Sequence, residues 1–452
     1  MAIRSQVTCP HCWFDFPPYD AVWISEHADL VGDVRLGPDH AQRFLPDRFT
    51  PSGAALDARE LACHRLACPA CHLEVPRACF ELAPLFLSTL GAPACGKSYF
   101  LTAMTWTLRG LLPKQFALGF GDADNLLNAR IQEYESRQFL NPDADDLVEL
   151  PKTETYGDLY STVLWDGQAV QYLRPFVFKL APLANHPHGS RASTVGRVLC
   201  LYDNAGESFL PGQDTTANPV TRHLAASDAI FFLVDPTQDA RFRRAVRHKS
   251  GDPQRLEAAR PPGRESPLRQ ETILHEAAER ARRYSKSTGR RTLPMLIVVV
   301  TKYDVWSGLL PYPDGNLPCP WHYSPAAGIA GLRMDLVERV SRQLCDVLRE
   351  HCPELVGTIE AFCPQALYIP VSATGCSAQY DPQTKRRGFR PKNIRPIWAE
   401  TPLLYFLARW ARGLVGQIVK GQTKEPKQAA GPPPPATPPP TPAPPADSSP
   451  PD

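Results

Sequence analysis

Gly91-Ala-Pro-Ala-Cys-Gly-Lys-Ser98 fits the pattern G-x-x-x-x-G-K-[ST]. An apolar run of strand length, Leu85–Leu90, leads into it, and a helical pattern, Lys97–Leu112, leads out. Strand, glycine-containing loop and helix in that order can cradle phosphate. Glycines let the loop wrap tightly, so successive backbone N–H groups point inward, and the helix N-terminus adds the positive end of its dipole. On this reading Gly91, Ala94, Cys95, Gly96, Lys97, Ser98 and Tyr99 bind phosphate. Lys97 would reach the β- and γ-phosphates and the Ser98 hydroxyl would ligate Mg²⁺. The plainer alternative is an ordinary strand-to-helix turn.

Further apolar runs follow at Tyr172–Leu180, Val198–Tyr202, Ala229–Val234, Met295–Val300 and Ala366–Val371. Near-continuous apolar strands suit a sheet covered on both faces. Helical patterns at Leu332–His351 and Pro402–Lys420 alternate with them. The alternation predicts an α/β fold with a mainly parallel sheet flanked by helices.

Three short motifs sit at the ends of these runs. Asp203-Asn-Ala-Gly206 fits D-x-x-G, in which the aspartate serves Mg²⁺ and the glycine N–H meets a γ-phosphate. Thr301-Lys302-Tyr303-Asp304 fits [NT]-K-x-D. A carboxylate at Asp304 can accept from both guanine N1–H and its exocyclic amine. Adenine lacks that donor pair and would leave the carboxylate unpaired. Ser372-Ala373-Thr374 is similar to a loop that touches guanine O6 through a backbone N–H. At the C-terminal edge of a parallel sheet all four segments would meet in one crevice.

With these motifs the chain resembles the translation-factor and Ras-like class of P-loop GTPases over roughly residues 82–420. In overall layout and in Tyr202–Phe209 it also resembles the bacterial double-GTPase families, associated with multi-gene conflict systems. The resemblance implies a Ras-like fold, GTP and GDP as ligands and Mg²⁺ held by Ser98 and Asp203. It also implies a switch that signals to a protein effector or activator, which could be a related GTPase. Lys97, Asp203, Gly206 and Glu207 are the residues it assigns to catalysis. Glu207 stands where many such GTPases carry a glutamine that orients water, so slow hydrolysis is expected. The switch threonine is unmarked; Thr153 and Thr155 are the candidates and Thr153 is preferred.

A second chemistry lies in residues 1–80. Cys9-Pro-His-Cys12 and Cys68-Pro-Ala-Cys71 are two C-x-x-C pairs, each able to fill two corners of a zinc tetrahedron. Together they suit a closed structural Zn²⁺ site in a zinc-ribbon-like head. The 55 residues between Cys12 and Cys68 must loop out and return. His11, Cys63, His64, His72 and Cys79 are substitute ligands in the same stretch.

Composition bounds the rest. The formal net charge of the 452 residues is +2, which excludes a polycationic or acidic-tail protein. No apolar run approaches the ~20 residues that span a bilayer, and no leader-like segment opens the chain, so a cytoplasmic protein is expected. Between Ala240 and Arg291, 15 Arg/Lys stand against 6 Asp/Glu, a net +9. This basic segment reads as an insertion with a helix near Gln270–Ser285, and as a surface for nucleic acid or an acidic partner. From Pro426 to Asp452, 13 of 27 residues are proline, which predicts a disordered tail. The expected organisation is a head over 1–80, a nucleotide domain over 81–422 with an insertion at about 240–291, and a tail over 423–452. A reading of another class is a zinc-headed scaffold or nucleic-acid module with a non-hydrolysing, structural nucleotide site. An ATPase of the same superfamily is weaker, since Asp304 has no role with adenine.

Overall fold

The computed structural model describes residues 3–151, 159–204, 206–209, 222–246, 269–288 and 294–418. The proline-rich segment from 419 onward lies outside them, as does much of the basic segment.

The seven-stranded central sheet is built from β1 (Ala83–Gly91), β2 (Leu118–Asp122), β3 (Phe176–Pro182), β4 (Arg197–Asp203), β5 (Ala229–Val234), β6 (Met295–Val300) and β7 (Leu367–Pro370). Their order is β2-β3-β4-β1-β5-β6-β7. The strands from β4 to β7 are mutually parallel, and β3 is antiparallel to both of its neighbours. β1 is central, with Thr89 opposite Asp203 on β4 and Gly91 opposite Leu233 on β5. Every residue of β5 is buried, and all but Met295 in β6. That is the burial a sheet covered on both faces demands.

Among the described residues, six longer helices complete this body: α1 (Lys97–Gln115), α2 (Asn125–Phe139), α3 (Gln270–Thr288), α4 (Met334–His351), α5 (Pro353–Phe362) and α6 (Thr401–Trp410). α1 buries Phe100, Leu101, Met104, Leu108 and Leu112, the three-and-four spacing of one helix face. α2 starts where the Asp124 carboxylate accepts from the amides of Leu126 and Leu127, at 2.8 and 2.9 Å.

Four expectations are corrected. Tyr172–Leu180 is not one strand. Gln168–Leu173 pairs with Tyr160–Trp165 in a separate hairpin, and β3 begins at Phe176. Pro175 has no N–H to give a ladder, so the apolar run divides there. The closing helix ends at Trp410 instead of running to Lys420. Gly413 takes a left-handed φ of +93°, and Gly416–Gln417 then pairs with Gly331–Leu332. Leu332 lies in a strand, Ile329–Leu332, and α4 starts only at Met334. Finally, the helix inside the basic segment is no appendage. α3 buries Ile273, Leu274, Ala277, Ala278 and Ala281, and Arg280 is only 1% exposed. It is the crossover between parallel neighbours β5 and β6, a connection that parallel pairing requires.

The head is made of short pieces. Val22–Ile24 pairs with Arg43–Phe44 and with Leu66–Ala67, and two small hairpins, Val31–Asp33 with Gly37–Ala41 and Ala55–Leu56 with Ala62–Cys63, branch from them. This is how the chain between the two C-x-x-C pairs loops out and returns. Among the described residues, no helix is long and apolar enough to cross a membrane.

Candidate functional site

A cavity of about 270 Å³ opens at the C-terminal ends of the parallel strands. Its wall includes Ala94 to Tyr99, Gly206, Thr301, Lys302 and Asp304, and Ser372 to Thr374. These come from four separate stretches of sequence, following β1, β4, β6 and β7.

The loop after β1 is shaped by backbone conformations that few residues adopt. Gly96 has φ +93° and Ala94 +61°. A Cβ on Gly91 would stand 2.7 Å from the Leu233 carbonyl oxygen, so the strand pair needs glycine there. The first helical bond beside the loop runs from the Phe100 amide to the Gly96 carbonyl, 2.9 Å. The amides of Lys97, Ser98 and Tyr99 precede it, in the turn whose N–H groups have no helical acceptor. Lys97 is buried, and its Nζ donates to the carbonyls of Gly91 and Ala92 at 2.9 and 3.2 Å. The Thr301 hydroxyl donates to the Cys95 carbonyl (2.9 Å), tying the loop after β6 to the loop after β1. Burial pushes the Cys95 thiol up, so it stays a thiol inside the loop.

Asp203 ends β4 directly opposite Thr89, whose hydroxyl donates to Asp203 Oδ1 at 3.1 Å. Asp203 is 5% exposed and lies beside the cavity wall, not in it. Gly206 does reach the wall. A Cβ there would be 2.7 Å from the Gly91 carbonyl oxygen and 2.9 Å from Pro93, so only glycine permits this approach. Glu207 lies in the short turn Gly206–Phe209, and its side chain is outside the described residues, as are Thr153 and Thr155.

On the other side, Lys302 adopts φ +58° and its Nζ pairs with the buried Asp235 carboxylate, 2.6 Å away. The Ser372 hydroxyl donates to Asp304 Oδ1 (2.5 Å) and accepts from the Gly375 amide (2.8 Å). This joins the loops after β6 and β7 and holds Asp304 at the cavity. Trp306 locks the turn beneath by donating from Nε1 to the Thr301 carbonyl, 2.8 Å.

The remaining wall was not anticipated from sequence. Val148 and Phe389 exchange backbone hydrogen bonds of 3.0 and 2.9 Å, which straps Glu149–Pro151 to Arg387–Phe389. Gly388 permits the strap, since a Cβ would meet the Val148 carbonyl oxygen at 2.6 Å. The Tyr99 ring meets Phe389 edge-on at 5.2 Å, its hydroxyl accepts from the Leu150 amide, and burial pushes its pKa up to about 12. Arg386 pairs with Asp146 across the same strap, 3.0 Å apart. Opposite charges around 145 and 386–392 are visible in the sequence, but nothing local reveals that the two segments meet.

The four cysteines form a second candidate centre. Cys9, Cys12, Cys68 and Cys71 place their sulfurs within 4.8 Å of one another, the one grouping of three or more such ligands among the described residues. Cys9 to Cys71 and Cys12 to Cys68 are each 3.7 Å. A zinc tetrahedron with Zn–S of ~2.3 Å has S···S edges of ~3.8 Å, so this donor set fits the ion. The two knuckles repeat one geometry. Amides of His11 and Ala70 reach the sulfurs of Cys9 and Cys68, both at 3.4 Å, and Trp13 and His72 follow with φ of 60° and 62°. Hydrogen bonding from the neighbouring thiols, Cys12 foremost, pulls Cys68 down towards the thiolate, while burial pushes Cys9 up. Three of the substitute ligands are engaged elsewhere. His11 Nε2 meets the Glu74 carbonyl (3.0 Å), His72 Nδ1 meets Asp33 (2.8 Å) and Cys63 faces Asp57 (3.8 Å).

No protein-family model matches this chain, and no curated protein is significantly similar to it.

Proposed function

We propose that the chain is a GTP-binding switch protein of the translation-factor and Ras-like class, with Mg²⁺-dependent, slow hydrolysis and a zinc-stabilised head. The observation that carries this reading is the meeting of four distant motifs around one cavity. Chance matches to such short patterns have no reason to converge in space.

In this reading the amides of Gly96 to Tyr99 and the Lys97 ammonium would bind the phosphates. Lys97 would exchange its loop-carbonyl partners for phosphate oxygens. Ser98 and Asp203 would hold Mg²⁺, which supplies charge neutralisation at the phosphates. The Gly206 N–H would meet the γ-phosphate. Asp304, aimed by Ser372, would accept from guanine, and the Lys302 stem would lie along the purine. Glu207 would stand near the attacking water, where its charge opposes that of the triphosphate and slows turnover. The output would be a conformational change of the segment after Asp203 and of the stretch around Thr153, ordered by the γ-phosphate and released on hydrolysis. Partners by this reading are protein effectors or activators, and the layout fits a component of a bacterial multi-gene conflict system.

The test is calorimetric titration with GTPγS and ATPγS in Mg²⁺, on the wild type and on Asp304→Ala. Tight GTPγS binding that weakens ~100-fold or more in the variant is expected, since the guanine N1–H and amino donors would then lose their buried acceptor. Equal affinity for the two nucleotides, or an unaffected variant, would sink the guanine reading.

A further inference from the structure

Tyr202 is the residue immediately before Asp203, and its side chain is fully buried. Its hydroxyl donates to the Pro10 carbonyl (2.6 Å) and accepts from Trp13 Nε1 (2.9 Å). Pro10 lies between Cys9 and Cys12, and Trp13 follows Cys12. One cysteine knuckle therefore grips both hydrogen-bonding capacities of a single tyrosine at the end of β4.

The tyrosine leads further into the body. Its ring stacks on His223 with centroids 5.2 Å apart and planes 19° apart. His223 is fully buried, and burial pulls its pKa down to about 3, so the ring is neutral. Its Nε2 accepts from Asn204 Nδ2 at 3.3 Å, which leaves Nδ1–H to donate to Ser88 Oγ at 2.6 Å. Asn204, also fully buried, accepts at Oδ1 from the Tyr160 hydroxyl, 3.1 Å away. Ser88 precedes Thr89, which holds Asp203. The contacts thus run without a gap from the cysteine knuckle to both residues that open the Asp203–Gly206 turn.

We propose that Trp13 and Tyr202 are positioning residues for that turn, so that zinc in the head and triphosphate in the cavity stabilise one another. The inference rests on the GTP reading above. A knuckle closed on its ion fixes Pro10 and Trp13, and through them the Tyr202 hydroxyl. Tyr202 fixes the backbone into Asp203, and His223 fixes Asn204. A turn already held in place costs less to order around a γ-phosphate. GDP lacks the γ-phosphate that would contact Gly206, so it should not benefit. Coupling of this kind is reciprocal, and commonly amounts to about 5- to 150-fold in affinity.

The test uses the full chain loaded with zinc. Affinities for GDP and GTPγS in Mg²⁺ are measured by calorimetry. Zinc affinity is then measured at equilibrium against a chromophoric chelator, with either nucleotide present. Zinc should bind at least about fivefold more tightly in the GTPγS form than in the GDP form. Tyr202→Phe keeps the ring and should keep one zinc per chain and the affinity for GDP, while that ratio falls to one and GTPγS weakens by the same factor. Trp13→Phe removes the N–H donor and part of the ring but leaves the bond from Tyr202 to the Pro10 carbonyl, and should lower the ratio part of the way. It also serves if Tyr202→Phe fails to fold. A role confined to holding the fold together would weaken both nucleotides equally. Tight binding of both nucleotides with equal zinc affinities in the wild type would overturn the coupling alone. Undamped ratios in both variants would also overturn it. Failure of either nucleotide to bind would overturn the GTP reading and the coupling with it.

Discussion

The head and the sheet body of this chain are held by different forces. Strands in the head are two to five residues long, and Tyr19, Val34 and Leu45 are 83%, 81% and 67% exposed. In the body β1 runs nine residues, and β5 and β6 bury almost every side chain. Short, half-exposed strands cannot offset the entropy of ordering them by apolar burial alone. Four sulfurs set at tetrahedral spacing supply the missing constraint in the head. The sheet needs no such device. Metal should therefore decide the order of the head and apolar burial that of the body.

The largest expected effect breaks this comparison directly. Stripping zinc by chelation, or substituting Cys68→Ser, removes a binding energy that in small zinc domains is on the order of 10 kcal/mol. Hydrogen exchange should then lose its protection in Val22–Ile24, Arg43–Phe44 and Leu66–Ala67. Ala229–Val234 and Met295–Val300 should keep theirs. Simultaneous loss in both regions would show that head and body form one cooperative unit.

A smaller effect approaches from the other side. Phe231 is fully buried in β5 and meets Phe100 of α1 edge-on, at 6.2 Å. Phe231→Ala should cost about 3–5 kcal/mol in the free energy of global unfolding, through lost transfer energy and a cavity. Zinc content per chain should not change. A variant that lost zinc as readily as stability would mean that the head depends on packing in the sheet.

The same contrast explains what could be read from sequence. Ala229–Val234 and Met295–Val300 are strands over the ranges their apolar runs predict, because a strand covered on both faces writes its whole length in apolar residues. The cysteine cluster is legible because a tetrahedral ion constrains spacing so tightly. Leu118–Asp122 escaped because two glycines and an aspartate dilute an edge strand. Tyr172–Leu180 misled because one proline divides an otherwise continuous run between two sheets. The four motifs at the cavity could be named from sequence, since each is local. The strap between Val148 and Phe389, the pairing of Lys302 with Asp235 and the grip of the knuckle on Tyr202 could not. Each joins residues far apart along the chain through groups that carry no local pattern.

The smallest effect sharpens the comparison where the body breaks its own rule. Glu400 is 8% exposed, sits just before α6, and makes no hydrogen bond from its side chain to the amides of that helix. In the head, the four clustered sulfurs could share a metal ion; here a buried carboxyl group stands without such a cluster, and burial raises its pKa to about 7 from an ordinary 4.5. The sign follows from proton counting. Below about pH 4.5 both folded and unfolded chains hold the proton, and nothing is lost. Between 4.5 and 7 the unfolded chain releases it while the folded chain retains it, so stability falls as pH rises. Above 7 the loss levels off at about 3 kcal/mol. Glu400→Gln cannot ionise and escapes this slope, although its buried amide brings a constant cost of about 1–3 kcal/mol where partners are missing. The stability difference between variant and wild type should therefore shift by about 3 kcal/mol in the variant's favour between pH 4.5 and pH 8. Urea unfolding at the two pH values reads that shift, and titrations shared by both proteins cancel from it. A difference that stays constant would show that Glu400 finds a counter-charge or water when the body is folded, and that the body tolerates a buried charge without an ion of its own.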